Sequence, residues 1–127
     1  MTARRLFNAS ALVEVLAGIG LLLAPAFIVG LLLGDGSGPV GSAVARVLGM
    51  AFVSLGFTAW EPAGQEPRSA RAGICIYNLG VAVLLSVFGK AGGMNAPLLW
   101  PTAALHGVFG VAMAWVILAP SGESSGE

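Results

Sequence analysis

The sequence predicts an all-α integral membrane protein, built as a four-helix bundle, and three observations lead to this prediction. Of its 127 residues, 57% are hydrophobic and only 9% are charged, whereas a soluble domain carries about 25% charged residues. Four segments are apolar over the roughly 20 residues that a membrane-spanning helix requires. The segments between them are rich in glycine and proline, which interrupt helices. We therefore expect one membrane domain, residues 1–119, followed by a disordered polar tail, residues 120–127.

The four predicted spans cover residues 6–33, 40–60, 72–89 and 96–119. The first is long for a single crossing and contains Pro25, which predicts a kink or an early helix end. Its last part, FIVGLLLG, is expected to run along the outer membrane interface. The breaks after the first three spans are "GDGSGP", "EPAGQEPRSAR" and "GKAGGMNAP". Their composition is typical of loops rather than of continuing helices.

Basic residues in the loops predict the orientation of the bundle. Lys90 lies on one side, and four arginines lie on the other: Arg4, Arg5, Arg68 and Arg71. The positive-inside rule then places both termini and the middle loop in the cytoplasm, in an up-down-up-down arrangement. A cleaved signal peptide is the alternative for the N-terminus, since "RR", an apolar run and "APA" occur in order. Glu14 inside that run, and the apolar residues beyond Ala26, argue against it.

Polar side chains inside the predicted spans mark the candidate site. Glu14 and Arg46 are the two formal charges in the spans, and each costs about 2.5 to 3.5 kcal/mol at a helix centre. Hydrogen-bonding groups at membrane depth are added by Tyr77, Asn78, Thr102 and His106. On the helices these residues share faces with small residues, which line helix contacts in membranes. We therefore expect the polar side chains to point inward, away from lipid.

Counting helical rise from the cytoplasmic ends predicts two polar layers. Glu14 lies roughly 12 Å deep and Asn78 about 9 Å, while Arg46 and His106 lie near 20 Å. The lower layer then contains Glu14 and Asn78, and the upper layer contains Arg46 and His106. An extended arginine spans most of the gap, which makes a Glu14–Arg46 ion pair feasible.

Three classes of function fit this cluster. In the first, it binds or moves a small amphipathic ligand, or relays protons between Glu14 and His106, because ionisable groups inside membranes are usually functional. In the second, an intramembrane isomerase or hydrolase uses Glu14, Arg46 and His106 as catalytic residues on a lipophilic substrate. Tyr77, Asn78 and Thr102 would bind the ligand in either case. In the third, the protein is a structural or accessory subunit whose polar groups only fix helix packing.

Composition also narrows the set of partners and cofactors. Six basic and six acidic residues produce no field that attracts nucleic acid. One histidine and one cysteine cannot supply the four ligands of a structural zinc site, and we expect neither a metal nor another cofactor. The expected partners are the lipid bilayer and a small lipophilic ligand. Short helices rich in glycine bury little surface alone, so we also expect a homo-oligomer or a membrane partner.

Three segments resemble the small four-helix DoxX-like membrane proteins and related bacterial families. They are "VLAGIGLLLAP" in the first span, "ARVLGMAFVSLGFTAW" in the second and "WPTAALHGVFG" in the fourth. The resemblance covers nearly the whole chain and rests mostly on hydropathy and spacing. It implies a four-helix bundle in the bacterial inner (plasma) membrane. These families have no agreed activity, so the resemblance assigns no chemistry.

Overall fold

A computed structural model describes residues 2–34, 38–60, 68–91 and 95–119, and in these ranges the chain is helical, without strands. The helices are α1 (Ala3–Leu23), α2 (Pro25–Leu33), α3 (Pro39–Ala59), α4 (Arg68–Lys90) and α5 (Leu99–Leu118). All except α2 are long and apolar enough to cross a membrane. These four helices follow the four predicted spans, and the predicted tail, residues 120–127, lies outside the described residues.

The predicted helix end at Pro25 is confirmed. Proline has no N–H group to donate to the carbonyl of Leu21, so the α1 ladder cannot continue through it. Ala24 takes a non-helical conformation (φ −135°, ψ 58°), and Pro25 then begins α2. At the other end of α2, Gly34 has a φ of +99°, a conformation that favours glycine. The N–H of Leu98, just before α5, donates to the carbonyl of Leu31 in α2 at 3.0 Å.

Two helix pairs, α1 with α3 and α4 with α5, form the main packing contacts. Glycines let the backbones of the first pair touch. A Cβ atom added to Gly18 would lie 2.6 Å from the carbonyl oxygen of Gly49, and one added to Gly56 would lie 2.6 Å from that of Ala11. Such distances are too short for any side chain, which explains why glycine occupies these positions. In the second pair, a Cβ atom added to Gly110 would lie 2.6 Å from the side chain of Leu79, so this glycine makes room for a side chain.

One end of the bundle holds an apolar core that joins the two helix pairs. It consists of Phe7, Ala11, Ala59, Ile74, Cys75 and Met113. The guanidinium of Arg71 lies 5.1 Å from the centre of the Phe7 ring, above this core. The outer surface is also apolar, with large exposed side chains on every helix, such as Leu16, Val83 and Trp115. A surface of this kind is suited to contact with acyl chains rather than with water.

Candidate functional site

A buried polar network connects α1, α4 and α5 near the middle of their lengths. Asn78 of α4 is its centre and is fully buried. Its Nδ2 donates to Ser10 Oγ of α1 at 3.0 Å and to the carbonyl of Ile74 at 2.8 Å. Its Oδ1 lies 2.8 Å from Nδ1 of His106 on α5. The contacts between the two helix pairs therefore include polar ones.

This network fixes the tautomer of a neutral His106. The carbonyl of Ile74 can only accept a hydrogen bond, so the Asn78 atom facing it is the amide nitrogen. The other atom is then Oδ1, which also can only accept. His106 Nδ1 must carry the proton that it shares with Asn78. In the neutral ring, Nε2 is left with a lone pair and acts as an acceptor.

Glu14 lies beside this network, and no described residue forms a hydrogen bond of good geometry with its carboxyl oxygens. Only 1% of its surface is exposed, and its Oε1 lies 3.8 Å from His106 Nδ1. Neither carboxyl oxygen of Glu14 has a hydrogen-bond partner of good geometry among the described residues, and the same is true of the buried hydroxyl of Tyr77. The Tyr77 hydroxyl and the Glu14 carboxyl nevertheless lie close enough to interact with each other. Buried polar atoms in proteins are almost always paired, so three unpaired oxygens around one cavity need an explanation.

The unpaired groups line a cavity of about 260 Å³ to which all five helices contribute. Its polar side chains are Glu14, Tyr77, Thr102 and His106. The rest of the wall is apolar: Ala17, Leu21, Ile28, Val29, Leu32, Leu33, Ala45, Leu48, Phe52, Val81, Leu84, Leu85 and Phe88. The cavity thus combines a few polar groups with a long hydrophobic wall, as small-molecule sites usually do.

Aromatic contacts hold Tyr77 in place between α3 and α5. Its ring packs edge-on against Phe52, with centroids 5.4 Å apart, and edge-on against His106, with centroids 5.7 Å apart. Both arrangements are favourable because the positive edge of one ring faces the negative face of the other. Tyr77 and His106 therefore contact each other in the cavity that Glu14 also lines.

The structure corrects the two predicted layers, because His106 shares a layer with Glu14 and Asn78. The prediction began the first and third spans at residues 6 and 72, whereas α1 begins at Ala3 and α4 at Arg68. Glu14 and Asn78 lie roughly 16 and 15 Å from the first residues of α1 and α4, and His106 lies roughly 18 Å from the last residue of α5. These residues therefore form one layer near the middle of their helices, as the contact between Asn78 and His106 requires.

Arg46 does not join the cluster, contrary to the expectation that it points inward. It is exposed, and its Nε donates to the carbonyl of Leu22 at 3.3 Å. That carbonyl lies in the last turn of α1, where backbone oxygens lack helical partners and carry the negative end of the helix dipole. Arg46 thus contacts the end of α1 that the Pro25 break creates. The Glu14–Arg46 ion pair, which the predicted depths made feasible, is not formed.

The remaining predicted site residues either line the cavity or hydrogen-bond to a residue that lines it. Glu14, Tyr77, Thr102 and His106 line it, and Asn78 holds His106. The sequence did not predict the four cavity residues of α2, which are Ile28, Val29, Leu32 and Leu33. Apolar residues are expected wherever a helix contacts lipid, so these four residues gave no indication in the sequence that they line a cavity. Among the described residues, no group of three or more His, Cys, Asp or Glu side chains could hold a metal ion.

Comparison with known proteins gives no independent assignment of this site. The chain matches no protein-family model, no curated protein and no solved structure. The chemistry of the site is therefore argued from its own geometry.

Proposed function

We propose that the protein binds a small amphipathic molecule in the cavity, with its polar head at Glu14 and Tyr77. One observation supports this proposal more than any other. The carboxyl oxygens of Glu14 and the hydroxyl of Tyr77 are buried at the cavity without hydrogen bonds to described residues. A bound head group would supply the missing partners.

The energy of unpaired groups favours a binding role over a purely structural one. Leaving a buried polar group unpaired costs about 1 to 3 kcal/mol, and more when the group is charged. A carboxylate retained only to fix helix packing would be expected to bond to a neighbouring helix, as Asn78 does. Water could pair with Glu14, but it would be a poor neighbour for the buried apolar wall of the cavity, which includes Leu21 and Ala45. An amphipathic molecule satisfies both parts of the cavity.

The cavity volume limits the size of the ligand. An apolar cavity of about 150 Å³ holds one benzene molecule. By proportion, the cavity of about 260 Å³ accommodates about ten non-hydrogen atoms. A medium-chain amphiphile or a compact terpenoid has this size. The inward surface of α2 covers part of the apolar wall through residues such as Ile28 and Leu32.

The proposal is tested by titrating purified protein in phosphatidylcholine nanodiscs with nonan-1-ol, nonylamine and octanoic acid. The protein has one histidine and one tyrosine, His106 and Tyr77, and both line the cavity. Isotope labelling of these two residue types therefore gives one ring signal each by NMR. We expect at least one of the three compounds to shift both signals in a saturable way.

A matched pair of variants assigns the binding to the cavity. Val81→Trp places a larger side chain in the cavity wall, whereas Val83→Trp changes an exposed position on the same helix. We expect Val81→Trp to abolish the saturable shifts and Val83→Trp to retain them. Ala17→Leu is a second, smaller cavity-filling change. The proposal fails if no compound shifts the two signals, or if both tryptophan variants bind equally well.

Proton exchange between Glu14 and His106 is a second candidate function, and the 3.8 Å between Oε1 and Nδ1 favours it. A histidine near neutral pH can exchange protons when water reaches it. In proteoliposomes, proton flux that is lost in Glu14→Gln and does not need an added amphiphile would select this function. Flux equal to that of empty liposomes would remove it.

The enzyme hypothesis has less support from the geometry. It required Arg46 as the electrostatic partner of Glu14, and Arg46 contacts Leu22 instead. Glu14 and His106 still form a candidate acid–base pair on the cavity wall. Turnover of a terpenoid or lipid panel by purified protein, lost in His106→Gln, would support catalysis. An unchanged panel would count against it.

We also propose an up-down-up-down bundle in the bacterial inner membrane, with both termini cytoplasmic, and kinship with the DoxX-like families. The contacts between α1 and α3 support the topology. Gly18 of α1 lies against Gly49 of α3, while Ala11, nearer the start of α1, lies against Gly56, nearer the end of α3. The two helices therefore run in opposite directions. The loop arginines support the orientation through the positive-inside rule. Self-association, or a membrane partner, stays a prediction.

A further inference from the structure

We infer that the ligand is a lipophilic amine, bound as a monocation with its ammonium group between Glu14 and Tyr77. This inference rests on the proposed binding function and names the chemical class of its ligand. It follows from three features of the cavity: the charge of Glu14, the balance of hydrogen-bond donors and acceptors, and the aromatic walls.

No described residue provides Glu14 with a permanent counter-charge. Among residues 2–34, 38–60, 68–91 and 95–119, His106 alone is within 4 Å as an ion-pair partner, at 3.8 Å. The His106 Nδ1 proton is already shared with Asn78. A buried carboxylate is tolerated when an opposite charge accompanies it. A cationic ligand would bring that charge into the cavity.

The polar groups of the cavity need donors more than acceptors. Both oxygens of an ionised Glu14 accept hydrogen bonds, and Nε2 of a neutral His106 also accepts. The Tyr77 hydroxyl is able to donate one hydrogen bond and to accept others. An alkylammonium group supplies three donors, an alcohol supplies one, and a carboxylate supplies none. The ammonium is therefore the best match to the unpaired oxygens of Glu14 and Tyr77.

Aromatic side chains provide a second favourable environment for a cation. Phe52, Tyr77 and Phe88 line the cavity together with Glu14. The face of an aromatic ring attracts a cation within about 6 Å of its centre, more strongly where water is excluded. The hydrocarbon part of the amine would lie along the apolar wall formed by residues such as Leu84 and Leu85.

The test compares nonylamine, nonan-1-ol and octanoic acid, each with about ten non-hydrogen atoms as the cavity volume requires. The NMR signals of His106 and Tyr77 report occupancy, and free ligand concentrations correct for partition into the uncharged nanodisc lipid. We expect nonylamine to bind about 30-fold more tightly than nonan-1-ol, because desolvated charge pairs contribute strongly. Octanoic acid is expected to bind most weakly because its charge repels that of Glu14.

Two variants separate charge from shape at Glu14. Glu14→Gln keeps the shape of the side chain but removes the charge, and it should weaken nonylamine binding about 30-fold. The binding of nonan-1-ol should change by no more than about threefold, since it pairs with either side chain. Glu14→Asp retains the charge and should retain the preference for the amine over the alcohol.

The outcomes distinguish the inference from the binding function itself. Equal affinity for nonylamine and nonan-1-ol in the unmodified protein, or tightest binding of octanoic acid, overturns the assignment of a cationic ligand while leaving binding intact. An amine preference that persists in Glu14→Gln also overturns it. If none of the three compounds shifts either signal, the proposed binding function fails and the inference fails with it.

Discussion

Replacing Asn78 with leucine tests whether the polar network fixes His106 and joins the helix pairs. Leucine has a similar size but no hydrogen-bonding group. The change removes two bonds between helices, to Ser10 at 3.0 Å and to His106 at 2.8 Å. Such bonds in membranes contribute about 0.6 kcal/mol each, and about 1.7 kcal/mol at most. We expect Asn78→Leu to lower the free energy of unfolding by about 1 kcal/mol, and by about 3 kcal/mol at the upper limit.

Two measurements follow this change. The first is unfolding by SDS in mixed micelles, which gives the loss of stability. The second is the ¹⁵N spectrum of the His106 ring. Once Asn78 no longer accepts from Nδ1, Glu14 Oε1, which lies 3.8 Å away in the unmodified protein, is available as an acceptor. We expect the Nδ1 signal to move as the ring turns toward Glu14.

The control is Ser54→Ala, which removes a polar group from a span without breaking a contact between helices. Ser54 is exposed, and its hydroxyl donates to the carbonyl of Met50 in its own helix at 2.9 Å. The reasoning is refuted if Asn78→Leu leaves the Nδ1 signal unchanged and unfolds at the same SDS fraction as Ser54→Ala.

Two further predictions concern packing and the end of α1. Gly18→Ala places a Cβ atom 2.6 Å from a backbone oxygen and should destabilise the protein by about 1 to 3 kcal/mol. Gly80→Ala is the control, because nothing lies within 4 Å of its added Cβ atom. It should be neutral or should stabilise the protein by up to about 1 kcal/mol. Equal SDS unfolding midpoints would contradict this. Arg46→Gln removes the charged donor to Leu22 and should increase amide hydrogen exchange at residues 20–26, with Arg46→Lys intermediate; unchanged exchange would argue against this contact.

Features set by local periodicity could be predicted from the sequence. Ser10, Glu14 and Gly18 recur every four residues, so they must share one face of a helix, and all three are buried. The same reasoning holds for His106 and Gly110 on α5. A stripe of small and polar residues is unlike the lipid-facing surface, and this contrast shows which face points inward.

Features that depend on a partner helix could not be predicted. On α4, the sequence offers two neighbouring stripes, one that contains Gly73, Tyr77 and Gly80 and one that contains Ile74 and Asn78. The second is buried, whereas a Cβ atom at either glycine of the first would meet nothing within 4 Å. Glycine permits close approach but does not require it, so its spacing alone cannot choose between the stripes.

The role of Arg46 illustrates the same limit at longer range. The sequence showed a proline at residue 25 and an arginine at residue 46, but nothing in it connects the two. The connection arises because the break at Pro25 leaves the carbonyl of Leu22 without a helical partner, and α3 carries Arg46 past that point. The charged side chain of Arg46 therefore bonds to a backbone carbonyl rather than to another side chain.

The cavity exists because the contacts within the helix pairs differ from those between them. Within α1 and α3, Gly18 and Gly49 bring the backbones together and leave no space. Between the pairs, larger side chains such as Phe52 and Tyr77 meet instead and keep the helices apart at this depth. Glu14 faces this gap and lies one helical turn before Gly18 on α1. The helix that packs closely against α3 therefore also carries the acidic group. A ligand could then occupy the gap without separating the α1–α3 pair.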